Sequence, residues 1–188
     1  MDDVFFAGGI IAILVVYVLF RVYVFRQRHQ VNPFTVFSVR SSGEQIVGVF
    51  ALLTFLSYLY VLHRFPFNAF YPSLLVVGKS VALVSAILFI LSSQKLGASW
   101  RIGLQEKKTG LIKNGIFARI RNPVYDCLFL ISLSMWLMTQ NIWTFSLMIF
   151  VAVLIRVQVS LEEESLLAQH GPEYEEYQAK TGRFFPRL

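Results

Sequence analysis

The sequence predicts an all-α integral membrane protein with about five transmembrane helices, and three observations predict it. The 188-residue chain is 56% hydrophobic, 15% aromatic and only 15% charged, far more apolar than a soluble domain of this size. Segments between Val4 and Val159 approach the roughly 20 helical residues that cross the roughly 30 Å hydrocarbon core of a bilayer. Lysine and arginine crowd into alternate connections, as the positive-inside rule expects.

The first segment runs from about Val4 to Val24 and the second from about Ile46 to Leu62, each apolar apart from an end residue. Met1-Asp2-Asp3 carries acids where a secretory signal would carry basic residues, and no small-residue cleavage site follows, so the first segment is expected to remain in the mature chain. The third, about Ser73 to Ser93, follows Pro72, which suits a first helical turn because its missing N–H would be unpaired there anyway. Lys79 interrupts this segment. A charge at that depth is costly unless it snorkels or pairs, and snorkelling along the outer leaflet is the expectation. The fourth segment, about Val124 to Thr139, and the fifth, about Ile142 to Val159, are separated only by Gln140-Asn141, which makes them an antiparallel hairpin.

Counting lysine and arginine by connection gives four in Arg21–Arg40, seven in Lys95–Arg121 and four in Arg156–Arg187. Met1–Phe20 has none, and the second connection has only Arg64. The expected orientation places the N terminus outside, and the third loop and C-terminal tail in the cytoplasm. The same distribution accounts for the net charge of +6 without a nucleic-acid partner. Cys127 is the only cysteine, which leaves no intrachain disulfide or cysteine-cluster metal site and reads as a small apolar helix residue. Residues 1–188 read as one membrane domain, with three spans in 1–94 and the loop, hairpin and tail in 95–188.

The third loop and the tail carry more polar chemistry than a connection needs. The loop has glycines at 97, 103, 110 and 115, which permit tight turns or close approach to a ligand, and it ends in Arg121-Asn122-Pro123-Val124-Tyr125. Pro123 suits the start of the fourth helix and Asn122 its N-cap, with Tyr125 in the interfacial aromatic belt. In the tail, Glu162, Glu163 and Glu164 stand together at the bilayer edge, where they repel one another unless a cation meets them. Successive helical residues point about 100° apart, so one or two of them face inward. Leu166, Leu167, Tyr174 and Tyr177 then recur at helical spacing. This suggests an amphipathic segment, broken at Gly171-Pro172, that folds back on the loop or the membrane.

The order RNPVY (Arg121–Tyr125), EEESL (Glu162–Leu166), GPEYEEY (Gly171–Tyr177) and GRFFP (Gly182–Pro186) resembles the isoprenylcysteine carboxyl methyltransferase family, integral-membrane enzymes related to phospholipid N-methyltransferases. The resemblance covers about Leu96 to Pro186. It implies S-adenosylmethionine (SAM) bound on the cytoplasmic side between loop, hairpin and tail, with a lipophilic or lipidated acceptor reaching the methyl group from the lipid bilayer. Carried over, it assigns Arg121, Asn122 and Tyr125 to catalysis, and Gly110, Gly115, Arg121, Tyr125, Glu162 and Glu163 to the cofactor. Asn122 stands where many members have histidine, and an amide does not titrate near neutrality.

By charge, Glu162 and Glu163 would hold the cofactor's amino group or ribose, and Arg121 its carboxylate or an anionic acceptor. Glu163→Gln would then weaken SAM binding and leave the fold intact. Trp100 and Arg101 would cover the entrance or anchor at the interface. A carboxylate acceptor, as on an isoprenylcysteine, needs no general base, whereas an amine or thiol does. His170, the only histidine in the tail, reads as a surface residue, so the expectation favours an acceptor already ionised. The alternatives are a membrane reductase using NADPH on a sterol-like lipid, and a non-enzymatic scaffold or transporter subunit. A transporter would place more polar groups at mid-membrane than these spans contain.

Overall fold

The computed structural model describes residues 2–29, 42–64, 70–100 and 110–187. Gly103, Arg101 and most of the first basic connection lie outside the described residues. Six α-helices follow one another among the described residues: α1 (Asp2–His29), α2 (Ser42–Arg64), α3 (Pro72–Leu96), α4 (Pro123–Thr139), α5 (Ile142–His170) and α6 (Pro172–Lys180). α1, α2, α3 and α5 are each long and apolar enough to cross a membrane. α4 has 17 residues, about 25 Å at 1.5 Å per residue, and is the short member. The chain is a multi-pass integral membrane protein, and its outer faces present bare Leu52, Leu53 and Leu56 on α2 and Leu83, Val84 and Ile87 on α3 to lipid.

α3 lies along α4, α4 and α2 both pack on α5, and α1 packs on α3. Ala7, Tyr58, Leu62, Met135 and Met138 bring α1, α2 and α4 into one apolar core. Several polar groups inside the bundle are satisfied by nearby protein groups, since hydrocarbon offers them no partner. Ser85 and Ser93 donate to carbonyls four residues back, and the Tyr58 hydroxyl meets Ser132 Oγ at 2.5 Å across α2 and α4.

The hairpin turn is built as its residues dictate. Gln140 takes the left-handed conformation (φ 48°), Asn141 Oδ1 accepts from Trp143 N at 2.8 Å to cap α5, and the Thr139 and Thr144 hydroxyls pair at 2.6 Å. The Gln140 amide also donates to Tyr71 O and accepts from Tyr71 N, each at 3.0 Å, pinning the turn to the entry of α3.

Two expectations change. Lys79 does not snorkel: its ammonium meets Asp3 at 2.5 Å, with the Phe6 ring 5.7 Å away. Packing α1 on α3 supplies a carboxylate, and pairing costs less than holding a lone charge near hydrocarbon. The fifth helix does not stop near Val159. α5 continues unbroken to His170, 29 residues and about 43 Å, so its last part projects beyond the hydrocarbon. Hydropathy ends at the bilayer edge, but the helical hydrogen-bond ladder does not.

Gly78 marks a close approach of α3 to α4. A Cβ there would lie 2.7 Å from Met138 Cγ and 3.1 Å from the Met138 backbone nitrogen, so a larger residue must push the helices apart. Gly78→Val should therefore destabilise the bundle by about 1–3 kcal/mol, whereas Gly8→Ala, with nothing within 4 Å, should not. Thermal unfolding of the two variants in detergent checks this, and equal melting temperatures would contradict the packing.

Candidate functional site

Beyond the apolar part of α5, the three glutamates divide as helical geometry requires. Glu163 is buried, Glu162 is half-buried and Glu164 is exposed. Arg121 Nε donates to Glu163 Oε1 at 3.0 Å, and Arg183 Nε pairs with Glu163 Oε2 at 3.0 Å. The other end of the Arg121 guanidinium donates to Gln178 O and Thr181 O, at 3.1 and 2.5 Å, where a cation complements the carbonyl end of α6. One carboxylate and one arginine thus join the segment before α4, the end of α5 and the tail.

Asn122 occupies the N-cap position of α4, and its carbonyl receives Tyr125 N and Asp126 N at 3.0 and 3.2 Å. Its side chain does not cap. Nδ2 donates to Glu163 Oε1 at 3.0 Å and to Arg183 O at 3.2 Å, so the amide is oriented by the buried carboxylate, a strong charge-assisted acceptor, rather than by the N–H groups of the helix end. An amide nitrogen carries two hydrogens and serves both partners. An imidazole nitrogen carries at most one.

The tail docks through its backbone as well. Arg121 N donates to Gly182 O at 2.9 Å and Gly182 N to Arg119 O at 3.0 Å, a single parallel bridge between Ile120 and Gly182. A Cβ on Gly182 would fall 1.5 Å from Phe185 O, so the tail's final turn requires glycine. α6 folds back on the loop, where the Tyr177 hydroxyl donates to Phe117 O at 2.7 Å and Lys113 meets Glu173 at 2.7 Å. The Tyr125 hydroxyl donates to Glu162 Oε1, which also accepts from Gln158 Nε2 at 3.0 Å.

These elements enclose a cleft of about 70 Å³. Arg121, Asn122, His170, Tyr174 and Tyr177 form its polar side, and Leu96, Phe117 and Leu166 its apolar side. Ser99 and Gly110, which flank the stretch 101–109 in sequence, also border it. Of the expected site residues, Arg121, Asn122 and Gly110 reach the cleft. Tyr125, Glu162 and Glu163 do not line it, and neither does Gly115, although the 3-10 turn it opens (Gly115–Ala118) contributes Phe117. Trp100 does not cover the entrance: it is buried against α1, 5.1 Å from the Arg21 guanidinium carbon and 6.3 Å from the Phe25 ring centre.

His170, expected at the surface, is only 8% exposed, and neither ring nitrogen has a hydrogen-bond partner among the described residues. The Glu173 carboxylate lies 3.9 Å from Nδ1. The sequence did carry a signal: residue 170 follows Glu163 by two helical turns and shares its face. Burial pushes the Tyr174 hydroxyl well above its ordinary range and Tyr177 up to about 12, so both phenols stay neutral around pH 7.

Fold and site together define a helical multi-pass membrane protein with a polar cleft at one end of the bundle. Residues 73–172 match the phospholipid methyltransferase family, and the chain belongs to that family of membrane methyltransferases. A solved structure of the eukaryotic intramembrane Ras methyltransferase ICMT (isoprenylcysteine carboxyl methyltransferase) shares the fold, with a TM-score of 0.64 at 18% identity over 99% of this chain and 68% of that one. The nickel-cobalt-cadmium resistance protein NccN of Alcaligenes xylosoxydans xylosoxydans is 32% identical over 82 residues, 44% of this chain. The cobalt-zinc-cadmium resistance protein CzcN of Cupriavidus metallidurans gives the same identity over the same length. The matched stretch spans 38% of either protein. The reductase alternative is not favoured by the family match.

The ion pairs change the expectation for Glu163. Removing one partner of a buried pair strands the other, so Glu163→Gln should cost about 3 kcal/mol and loosen the tail rather than leave the fold intact. Hydrogen exchange should accelerate across 172–187 in Glu163→Gln and not in Glu164→Gln. Equal protection in both variants would contradict the clamp.

Proposed function

We propose that the protein transfers a methyl group from SAM to a lipophilic acceptor that enters from the bilayer. The observation that carries this reading is the convergence of Arg121, Asn122, His170, Tyr174 and Tyr177 on one cleft, at the end of a membrane bundle belonging to a methyltransferase family. The N terminus is assigned to the outside and the cleft and C terminus to the cytoplasmic face, supported by the excess of lysine and arginine in the loop and tail.

The donor set fits a nucleoside sulfonium. The Asn122 amide and the two phenols offer hydrogen bonds, and Phe117 with Leu96 and Leu166 offers an apolar wall for a purine. A drug-sized ligand takes about 300–1,000 Å³, so the cleft must widen from its 70 Å³ to admit one. Arg121 and Asn122 would contact the cofactor, with Gly110 beside them. Glu163, Glu162 and Tyr125 would position those groups. When bound, the cofactor supplies an electrophilic methyl group, and the chain's task is to hold acceptor and donor in line and exclude water. The apolar wall and the closing tail serve the second purpose, and the clamp on Arg121 serves the first.

Calorimetry on detergent-purified protein should show saturable SAM binding and no NADPH binding. Leu166→Trp, which fills the cleft without touching the Glu163 clamp, should weaken SAM at least tenfold, about 1.4 kcal/mol. A folded wild-type chain that binds NADPH and not SAM would overturn the reading.

A further inference from the structure

Carboxylate, phenol, amide and imidazole groups stand in or beside the cleft, and the structure disposes of the first three as proton acceptors. The Glu163 carboxylate is committed to Arg121, Arg183 and Asn122. Tyr174 and Tyr177 are held protonated by burial. Asn122 does not titrate. Glu173 lies on the outer side, half exposed and paired with Lys113 at 2.7 Å. His170 remains: nine-tenths buried, lining the cleft, with both ring nitrogens unpartnered among the described residues.

A purely structural histidine at the end of α5 would interact with the last carbonyls or pair with a neighbour. Here the Gly171 N–H closes the helix onto Leu167 O at 2.8 Å without the imidazole, and the nearest carboxylate, Glu173, stands 3.9 Å from Nδ1, beyond hydrogen-bond reach. A buried polar ring without a partner costs stability unless a ligand completes it. The charged and titratable groups around the ring are Glu173, with Lys113 behind it, Arg121, Tyr174 and Tyr177. Imidazole is the one side chain whose proton exchanges readily near neutrality.

We propose that His170 is the general base of the site, accepting a proton from a methyl acceptor that arrives protonated, a lipophilic amine or thiol rather than a carboxylate. This rests on the methyl-transfer reading above. It also reverses the expectation of an already ionised acceptor, which depended on the absence of a base. The acceptor's nitrogen or sulfur forms the new bond to the methyl carbon. The methyl–sulfur bond of the sulfonium donor breaks, leaving its electron pair on that sulfur, and the acceptor's proton ends on a ring nitrogen of His170. Glu173 steadies the imidazolium.

The test uses the full chain in detergent, with His170→Asn and His170→Gln as alternative replacements, and three lipophilic acceptors that end in an amine, a thiol or a carboxylate. SAM affinity in either variant should stay within about threefold of wild type. Transfer to the amine or thiol should fall about a hundredfold or more at pH 7 and recover as rising pH deprotonates the acceptor itself. It should fall more than transfer to the carboxylate, which needs no base. In histidine-labelled protein, the ring resonance absent from His170→Asn should move when SAM binds. Loss of transfer to the same extent at every pH, unchanged transfer, a ring resonance blind to SAM, or collapse of SAM affinity in both variants would each overturn the role of His170 alone. Failure of the wild-type chain to bind SAM would remove the methyl-transfer reading and this role with it.

Discussion

The Glu163 carboxylate is the point on which the polar end of the molecule depends. A buried charge is tolerated only when it is paired and its remaining lone pairs are filled. Arg121, Asn122 and Arg183 meet that demand from two directions, one before α4 and one from the tail after α6. Arg121 in turn holds the carbonyl end of α6. Without that carboxylate, Arg121 and Arg183 would lose their shared partner, and the tail would be held over the loop only by the Arg121–carbonyl contacts, the Ile120–Gly182 bridge and the contacts of α6.

The membrane sets the other constraint. Spans of bare leucine and valine fix the bundle in lipid, and inside it the hydroxyls of Ser85, Ser93 and Thr139 turn to carbonyls four residues back. α5 is longer than the hydrocarbon is thick, so it carries its polar last turns, Glu162 to His170, out to the bilayer face. A cleft placed there lies at the boundary between water and lipid. The short α4 opens at the same level through Pro123, which keeps Arg121 and Asn122 at the interface.

Much of this was legible in the chain because it is written locally. Hydropathy marks the spans, Gln140-Asn141 is too short for anything but a hairpin, and Gly171-Pro172 breaks the helix where expected. The inward turn of two glutamates follows from helical geometry. What was not legible depends on residues far apart in sequence. Lys79 finds Asp3 only once α1 packs on α3. Asn122 is oriented by Glu163 only once α5 presents that carboxylate to it. His170 is buried only because α6 turns back across the end of α5, and Trp100 leaves the entrance only because α1 supplies Phe25 and Arg21.

The most direct test of this account is a double-mutant cycle between Arg121 and Glu163. Arg121→Met, Glu163→Gln and the double variant would be compared by reversible unfolding in mixed micelles. If the clamp organises the site, the double variant should recover about 1.5–3 kcal/mol relative to the sum of the singles. Additivity to within about 0.5 kcal/mol would mean that the two residues are held independently, and that something other than their ion pair closes the tail over the cleft.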